Sequence, residues 1–369
     1  MIKSFAKIPA VIVFLMLFSF CNYASEELDI NDYLDDTVIE SLPESVKDSI
    51  KNNGTYNGPT VQSALNYVTT VLKNIIEPVS NTFFKIIAVV ILCSCFYMLA
   101  GICRESEATR IYRFLASACL CLMIFGILGT LWNDLDLLLK RLNTLMNSVT
   151  VATTSIYAMS GSVTAAAVNQ SQMMIVFTLI EDVIYYSTYP ILQICLSTSF
   201  IGCIGESVDL GSLGRLIRKT FTTLLIVLMS IVTVVLSFQN TLAQSNDSLI
   251  IRTVKLASGS FVPLVGSALN EATTTIAAGM NSLKNTLGIV SIIALTATVL
   301  PLLITVWLNK FSFSAASSFC EVLGLERESS FLRGSAEILD FAIAIITAVT
   351  MIFVINLMIF VKSDVIYGN

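Results

Sequence analysis

The sequence predicts an all-α polytopic membrane protein, with about six transmembrane helices after a signal peptide and with exported amphipathic helices. Three observations predict this class. Of the 369 residues, 55% are hydrophobic and only 13% are charged, whereas soluble domains contain about 25% charged residues. Six apolar runs are long enough to cross a bilayer. Outside these runs, apolar residues recur at steps of three and four, which is the period of a helix with one apolar face.

The first segment of the chain, residues 1–24, is predicted to be a signal peptide. Two lysines precede an apolar stretch from Ile8 to Phe20, and cleavage is expected after Ala24. An uncleaved membrane anchor is the alternative, and under both interpretations the following segment is exported. That segment is acidic in its first half and carries the start signals of a helix at Ser41-Leu-Pro43-Glu44.

Six apolar runs of about 20 residues are predicted to span the membrane. They are residues 82–102, 111–131, 183–205, 221–242, 286–308 and 338–361. Because the first segment is exported, the loops at 103–110, 206–220 and 309–337 are expected in the cytoplasm, and their arginines and lysines agree with the positive-inside rule. The predicted divisions are a signal peptide (1–24), an exported acidic helical segment (25–81), a transmembrane hairpin (82–131), an exported amphipathic segment (132–182), a second hairpin with a basic cytoplasmic loop (183–242), an exported signature segment (243–285) and a C-terminal hairpin with a short exported tail (286–369).

The stretch from Lys255 to Gly288 lies between two predicted spans, yet it is rich in small and hydroxylated residues. Its apolar residues fall on one face of a helix, and its asparagines fall on the other. The residues on the apolar face are Val265, Leu269, Ala272, Ile276, Met280, Leu283 and Leu287. We expect this face to pack against another protein or the lipid headgroups, with Pro263 and Gly266 shaping the start of the helix.

A similar apolar face is predicted between the second and third spans. Its residues step by four and three without a break: Leu138, Leu142, Leu145, Val149, Ala152, Ile156 and Met159. The stretch 155–162 can be aligned with 260–267, which predicts a tandem repeat of residues 111–220 and 221–337. Chance similarity between two segments of simple composition is the alternative. The assembly surface is expected to combine Leu142, Val149 and Ile156 with the face described above.

Composition argues against most kinds of chemistry. The chain has no histidine, which excludes Ser-His and Cys-His catalysis and histidine metal sites. Its net charge of -5 without a basic run argues against nucleic-acid binding. No nucleotide, dinucleotide or metalloprotease motif is present. We therefore predict no enzyme activity, no catalytic or metal-binding residue and no cofactor.

Few ionisable groups are predicted near the membrane. Glu181, Asp182, Glu337 and Asp340 lie at the ends of spans, where boundary anchoring is expected and coupling to protons or ions is the alternative. A secondary transporter for a small solute or ion is therefore a second hypothesis, and prolines within two of the spans agree with it. An intramembrane hydrolase is a third, but no Ser-Lys or Asp-Asp spacing supports it.

The chain resembles the stage III sporulation protein AE family of endospore-forming bacteria. The most specific matches are Ile251–Ala257, Ser260–Gly266, and Ser282–Asn285 before Gly288, with support from Leu42-Pro43-Glu44 and Leu210–Leu216. The chain departs from the family pattern at Ser267 and around Asn270–Ala272.

The resemblance implies a non-enzymatic, multi-pass protein of the mother-cell membrane that surrounds the forespore, with its N-terminal segment outside the cytoplasm. It implies a channel-like or secretion-like complex formed with other membrane proteins of the stage III sporulation A operon and with a forespore-side partner. A homo-oligomer is left open.

Overall fold

The computed structural model describes residues 61–102, 106–160, 162–180, 186–204, 211–261 and 263–362. Throughout these ranges the chain is helical and contains no strand, which confirms the predicted all-α class. The predicted signal peptide (1–24) and residues 25–60 lie outside the described residues, as do Glu181 and Asp182. The side chains of residues 244–278 also lie outside the described part, although the helices that carry them are defined.

Seven helices are defined in these ranges. They are α1 (Val61–Ile102), α2 (Ser106–Met159), α3 (Val163–Thr178), α4 (Tyr186–Ile204), α5 (Gly211–Phe261), α6 (Pro263–Val322) and α7 (Glu326–Lys362). The longest, α6, has 60 residues, and at about 1.5 Å per residue it extends for about 90 Å. A hydrocarbon core is only about 30 Å thick. Helices α2, α5 and α6 therefore continue from a predicted span into the amphipathic segment beside it.

The helix boundaries follow from the backbone chemistry of the sequence. Pro263 is the first residue of α6, where its missing N–H costs no helical hydrogen bond. The turn that ends α6 contains Gly324, whose φ of 74° is in the left-handed region. The N–H groups of Gly324 and Leu325 donate to the carbonyls of Glu321 and Cys320, which is a Schellman motif. The predicted loop 309–337 is therefore a helical hairpin with a short turn, because no glycine or proline interrupts it before Gly324.

Five of the described helices are long and apolar enough to cross a membrane. Their apolar parts are Thr69–Ile102, Thr109–Met159, Gly214–Ala243, Gly279–Val322 and Glu326–Val361. These five contain all of the predicted runs except the third, 183–205. That run corresponds to α4, whose described apolar part, Tyr189–Ile201, is shorter than the others.

Helices α6 and α7 form the centre of the bundle. In the most apolar stretch of each helix, 61% of the residues are buried in α6 and 56% in α7. Only 22% are buried in α1 and 11% in α5. Phe313, Phe331 and Phe353 of this central pair are fully buried. The main core joins them to residues of α1, α2, α4 and α5. The peripheral helices α1 and α5 consequently expose most of their apolar surface.

Contacts at both ends align the apolar runs of α5, α6 and α7. At the inner end, the predicted cytoplasmic one, Phe221 packs edge-on against Phe341 with ring centroids 5.4 Å apart, and Lys310 pairs with Asp340. At the outer end, Lys284 lies 5.8 Å from the ring centroid of Phe360. Between these ends each helix has about 20 residues without charge, a length of about 30 Å that matches a bilayer.

The first hairpin is displaced along the bundle axis relative to these three helices. The hydroxyls of Tyr97 in α1 and Ser117 in α2 donate to Oε1 of Glu328, at 3.2 and 3.1 Å. Glu328 precedes Asp340 by about 12 residues, or about 18 Å of helix. The apolar run of α2 therefore lies beside the charged first half of α7. Helix α4 is placed similarly, since a Cβ at Gly334 would lie 3.2 Å from Oγ of Ser199.

Candidate functional site

The first part of the predicted assembly surface is buried within the chain itself. Leu142 and Val149 belong to the main core, together with Leu138 and Leu145. The step of three and four thus marks a buried face of α2 as far as Val149, as expected of an amphipathic helix, whereas Met159 at the end of the predicted face is 67% exposed. These residues pack inside the chain in this structure, and their contact with another protein stays a prediction.

Ile156 lies at the second, smaller core, which closes the outer end of the bundle. This core consists of Tyr157, Ala165, Ala166, Ala243 and Phe360, with Ile156, Val168, Leu287 and Val361 packed against it. The rings of Tyr157 and Phe360 meet edge to face, with centroids 5.3 Å apart. The small alanines allow α3 and α5 to approach, because their side chains occupy little volume. The outer core therefore joins five helices, α2, α3, α5, α6 and α7.

Buried amides fix α3 between its neighbours. Nδ2 of Asn169 donates to the hydroxyls of Thr153 and Thr154 in α2, at 2.9 and 3.1 Å. Nε2 of Gln172 donates to the carbonyl of Leu236 in α5 at 3.0 Å. Both amides are buried, and a buried amide without a partner would destabilise the fold. Ala165 of α3 and Ala243 of α5 both belong to the outer core. Gln172 lies seven residues after Ala165, whereas its partner Leu236 lies seven residues before Ala243, so α3 runs antiparallel to α5.

The signature segment begins outside the described side chains and ends in the outer core. Pro263, Val265, Gly266, Leu269 and Ile276 lie in the first turns of α6, and the structure defines only the course of the helix there.

From Met280 onward the side chains of the signature segment are described. Met280 is buried and Leu283 is partly buried. Lys284 is only 2% exposed and lies against the ring of Phe360. A Cβ at Gly288 would clash with Cγ2 of Val361, so α6 and α7 are in close contact at this glycine.

Sequence reasoning missed the burial of Lys284, although a signal for it exists. Lys284 follows Met280 by four residues and precedes Gly288 by four, so helical spacing places it on the apolar face. A lysine can enter an apolar contact because its methylene groups pack while its ammonium meets an aromatic face. Lys284 is thus a packing residue of the outer core.

Sequence reasoning also missed Glu328, whose side chain has 0% exposure. It lies in the predicted cytoplasmic loop, where a carboxylate is ordinarily solvated. The two hydroxyls described above are its hydrogen-bond donors. The guanidinium of Arg113 lies 5.8 Å from the ring centroid of Tyr97, next to this site. No ion pair to Glu328 occurs among the described residues.

The charged residues predicted at the start of the last span are ion-paired. Glu337 accepts from Arg218, which also donates to the carbonyl of Gly334 at 3.1 Å. Asp340 accepts from Lys310. These pairs lie at the inner end of α5, α6 and α7, where boundary groups are expected. Within the described part of the chain, no cluster of acidic or cysteine side chains is placed to hold a metal ion.

Comparison with known proteins gives one family. The family described as Stage III sporulation protein AE matches residues 41–363, which include every described helix. The Stage III sporulation protein AE of Bacillus subtilis (strain 168) is 23% identical over 209 residues, or 57% of this chain and 52% of that protein. The match therefore spans about half the length of this curated relative. No solved structure matches the chain.

Proposed function

This chain belongs to the stage III sporulation protein AE family, and from that membership we propose that it is a non-enzymatic membrane subunit of a complex at the boundary between mother cell and forespore. The complex forms a channel-like or secretion-like conduit that endospore development requires. The chain lies in the mother-cell membrane that surrounds the forespore, with its N-terminal segment outside the cytoplasm.

One observation carries this proposal. Helix α5 continues for about 18 residues beyond the outer core to Phe261, and α6 begins at Pro263 and has about 20 residues before it reaches that core. These parts therefore extend the helices by about 27–30 Å beyond the apolar runs. A helix outside the bilayer with one apolar face requires a partner or a headgroup layer. The partners proposed are the membrane proteins of the same operon, and the forespore-side protein completes the conduit.

The proposal is tested by charging the apolar face of α6. We expect Leu269→Glu and Ile276→Glu to insert normally and to lose co-purification with the co-encoded membrane proteins, because a buried carboxylate without a partner is costly. Asn281→Glu is the matched control, since Asn281 lies on the polar face and is exposed. Normal co-purification of both apolar-face variants would exclude this face as the assembly surface.

A secondary transporter is the second candidate, and Glu328 favours it. A fully buried carboxylate beside the apolar runs of α1 and α2 is the kind of group that couples ions to transport. The purified protein in liposomes would then support ion-dependent uptake that Glu328→Gln abolishes. Uptake no faster than in protein-free liposomes would eliminate this candidate.

A further inference from the structure

Helices α3 and α4 share one register along α5. In α3, Gln172 donates to the carbonyl of Leu236. In α4, the thiol of Cys195 donates to the carbonyl of Gly214 at 3.7 Å. Cys195 follows Gln172 by 23 residues, and Gly214 precedes Leu236 by 22 residues. Because the two separations agree, α3 and α4 follow one another along α5 as two parts of a single crossing, antiparallel to α5.

The part of this crossing beside the apolar run of α5 is α3. With Gln172 level with Leu236, α3 lies beside about residues 230–245 of α5, which contain no charged residue. Helix α4 lies beside about residues 211–222, where α5 carries Arg215, Arg218 and Lys219. The predicted third span, 183–205, therefore lies beside the basic start of α5. A bilayer around the run 221–242 of α5 encloses α3, although residues 132–182 are predicted to be exported.

The second half of α2 lies beside α3 in the same layer. Tyr157 and Ala165 share the outer core, and Asn169, four residues after Ala165, bonds to Thr153, four residues before Tyr157. This register places residue 142 of α2 level with residue 180. Neither 142–159 nor 163–180 contains a charged residue, and Lys140 and Arg141 follow directly beyond the layer. Eighteen residues of helix measure about 27 Å, close to the thickness of a hydrocarbon core.

The outward face of α3 is apolar and continues the exposed surface of α5. Val163 and Met174 of α3 are 68% and 72% exposed. In α5, Val234 and Phe238 are 67% and 65% exposed, and the register of the two helices places Val234 level with Met174. The two helices thus present apolar side chains at the same level, as lipid-facing helices do.

The polar groups on this face are mostly satisfied within α3 itself. The hydroxyl of Ser171 donates to the carbonyl of Val168 at 2.9 Å, and that of Thr178 donates to the carbonyl of Met174 at 3.0 Å. Such bonds to the preceding turn provide a hydroxyl with a partner where water is absent. Gln170 adds one exposed amide, and an uncharged amide enters an apolar medium at a far smaller cost than an ion.

We propose that α3 is the outer, membrane-embedded half of the third crossing, and that its exposed face contacts lipid acyl chains. Helix α4 is then the inner half of the same crossing. Asn169 and Gln172 lie within the hydrocarbon layer, where their hydrogen bonds to α2 and α5 hold α3 in the bundle. This placement concerns the chain and the bilayer alone, and it does not rest on the proposed function.

Fluorescence quenching in liposomes tests the position of α3 on the full chain without partners. In a chain without its native cysteines, Met174→Cys carries a fluorophore. The quencher is either a phospholipid with a nitroxide on its acyl chain or iodide in the water. Val234→Cys is the control within the bilayer, at the same level on α5. Asn281→Cys is the aqueous control, because Asn281 is exposed and precedes Lys284 at the outer end of the bundle.

We expect the acyl-chain nitroxide to lower the emission from Met174→Cys at least twofold, as it does from Val234→Cys, and iodide to quench only Asn281→Cys. Iodide quenching of Met174→Cys as strong as that of Asn281→Cys would overturn the proposal, because α3 would then be exported. Protection of Met174→Cys from both quenchers would also overturn it, since protein and not lipid would cover this face. Iodide quenching of Val234→Cys would place the bilayer at another level and would equally overturn it.

Discussion

The two ends of α7 are held in different ways. At the outer end, Phe360 is fixed by shape: Tyr157 meets its ring edge-on, Lys284 lies against it, and Gly288 admits the neighbouring Val361. At the inner end, Glu328 is fixed by two hydrogen bonds from hydroxyl groups. Shape complementarity is lost by small changes of volume, whereas a hydrogen bond survives any change that keeps its acceptor. The two ends should therefore respond to opposite kinds of substitution.

The largest effect is expected at the outer end, from Phe360→Ala. Phe360 is buried to 1% exposure and belongs to the second core. Truncating a buried phenylalanine leaves a cavity and typically costs about 3–5 kcal/mol. Thermal unfolding in detergent should show a large fall in Tm. Phe311→Ala is the control, since Phe311 is 66% exposed and should change stability little. If Phe360→Ala lowered Tm no more than Phe311→Ala does, the outer core would contribute nothing to the stability of the fold.

The helical class and the apolar runs followed from the sequence because both are local properties. The buried face of α2 from Leu138 to Val149 followed as well, as did the burial of Met280 in α6, since spacings of three and four depend only on the geometry of one helix. The position of Lys284 on an apolar face was open to the same reasoning.

The axial position of one helix relative to its neighbours could not be predicted from the sequence. The composition of each run shows that it is apolar. No residue within α2 indicates that Ser117 will contact Glu328, which lies 211 residues later in the chain. The burial of Glu328 depends on that long-range contact, as does the pairing of Asn169 with Thr153. Spacing within one element carries no information about either contact.

An intermediate effect is expected from Gly288→Ala, which tests the shape of the outer end with a single methyl group. The added Cβ would overlap Cγ2 of Val361, and overpacking a core usually costs about 1–3 kcal/mol. Thermal unfolding in detergent measures this loss, and Val361→Ala in the same chain should restore most of it, since it removes the overlapping atom. Gly279→Ala is the matched control in the same helix, because a Cβ there would have no packing neighbour within 4 Å. That control should be neutral or stabilising, as expected of alanine in a helix.

The smallest effect is expected at the inner end, from Glu328→Gln. Glutamine keeps a carbonyl oxygen that accepts from Tyr97 and Ser117, so we expect a loss of about 0.5–1.5 kcal/mol, the net value of one hydrogen bond. Glu328→Leu keeps a similar volume but leaves both hydroxyls without this acceptor, which should cost about 1–3 kcal/mol. Chemical denaturation in detergent can separate the two variants. If Glu328→Gln proved as damaging as Glu328→Leu, the charge of the carboxylate and not its acceptor geometry would hold this end, and the contrast between the ends of α7 would fail.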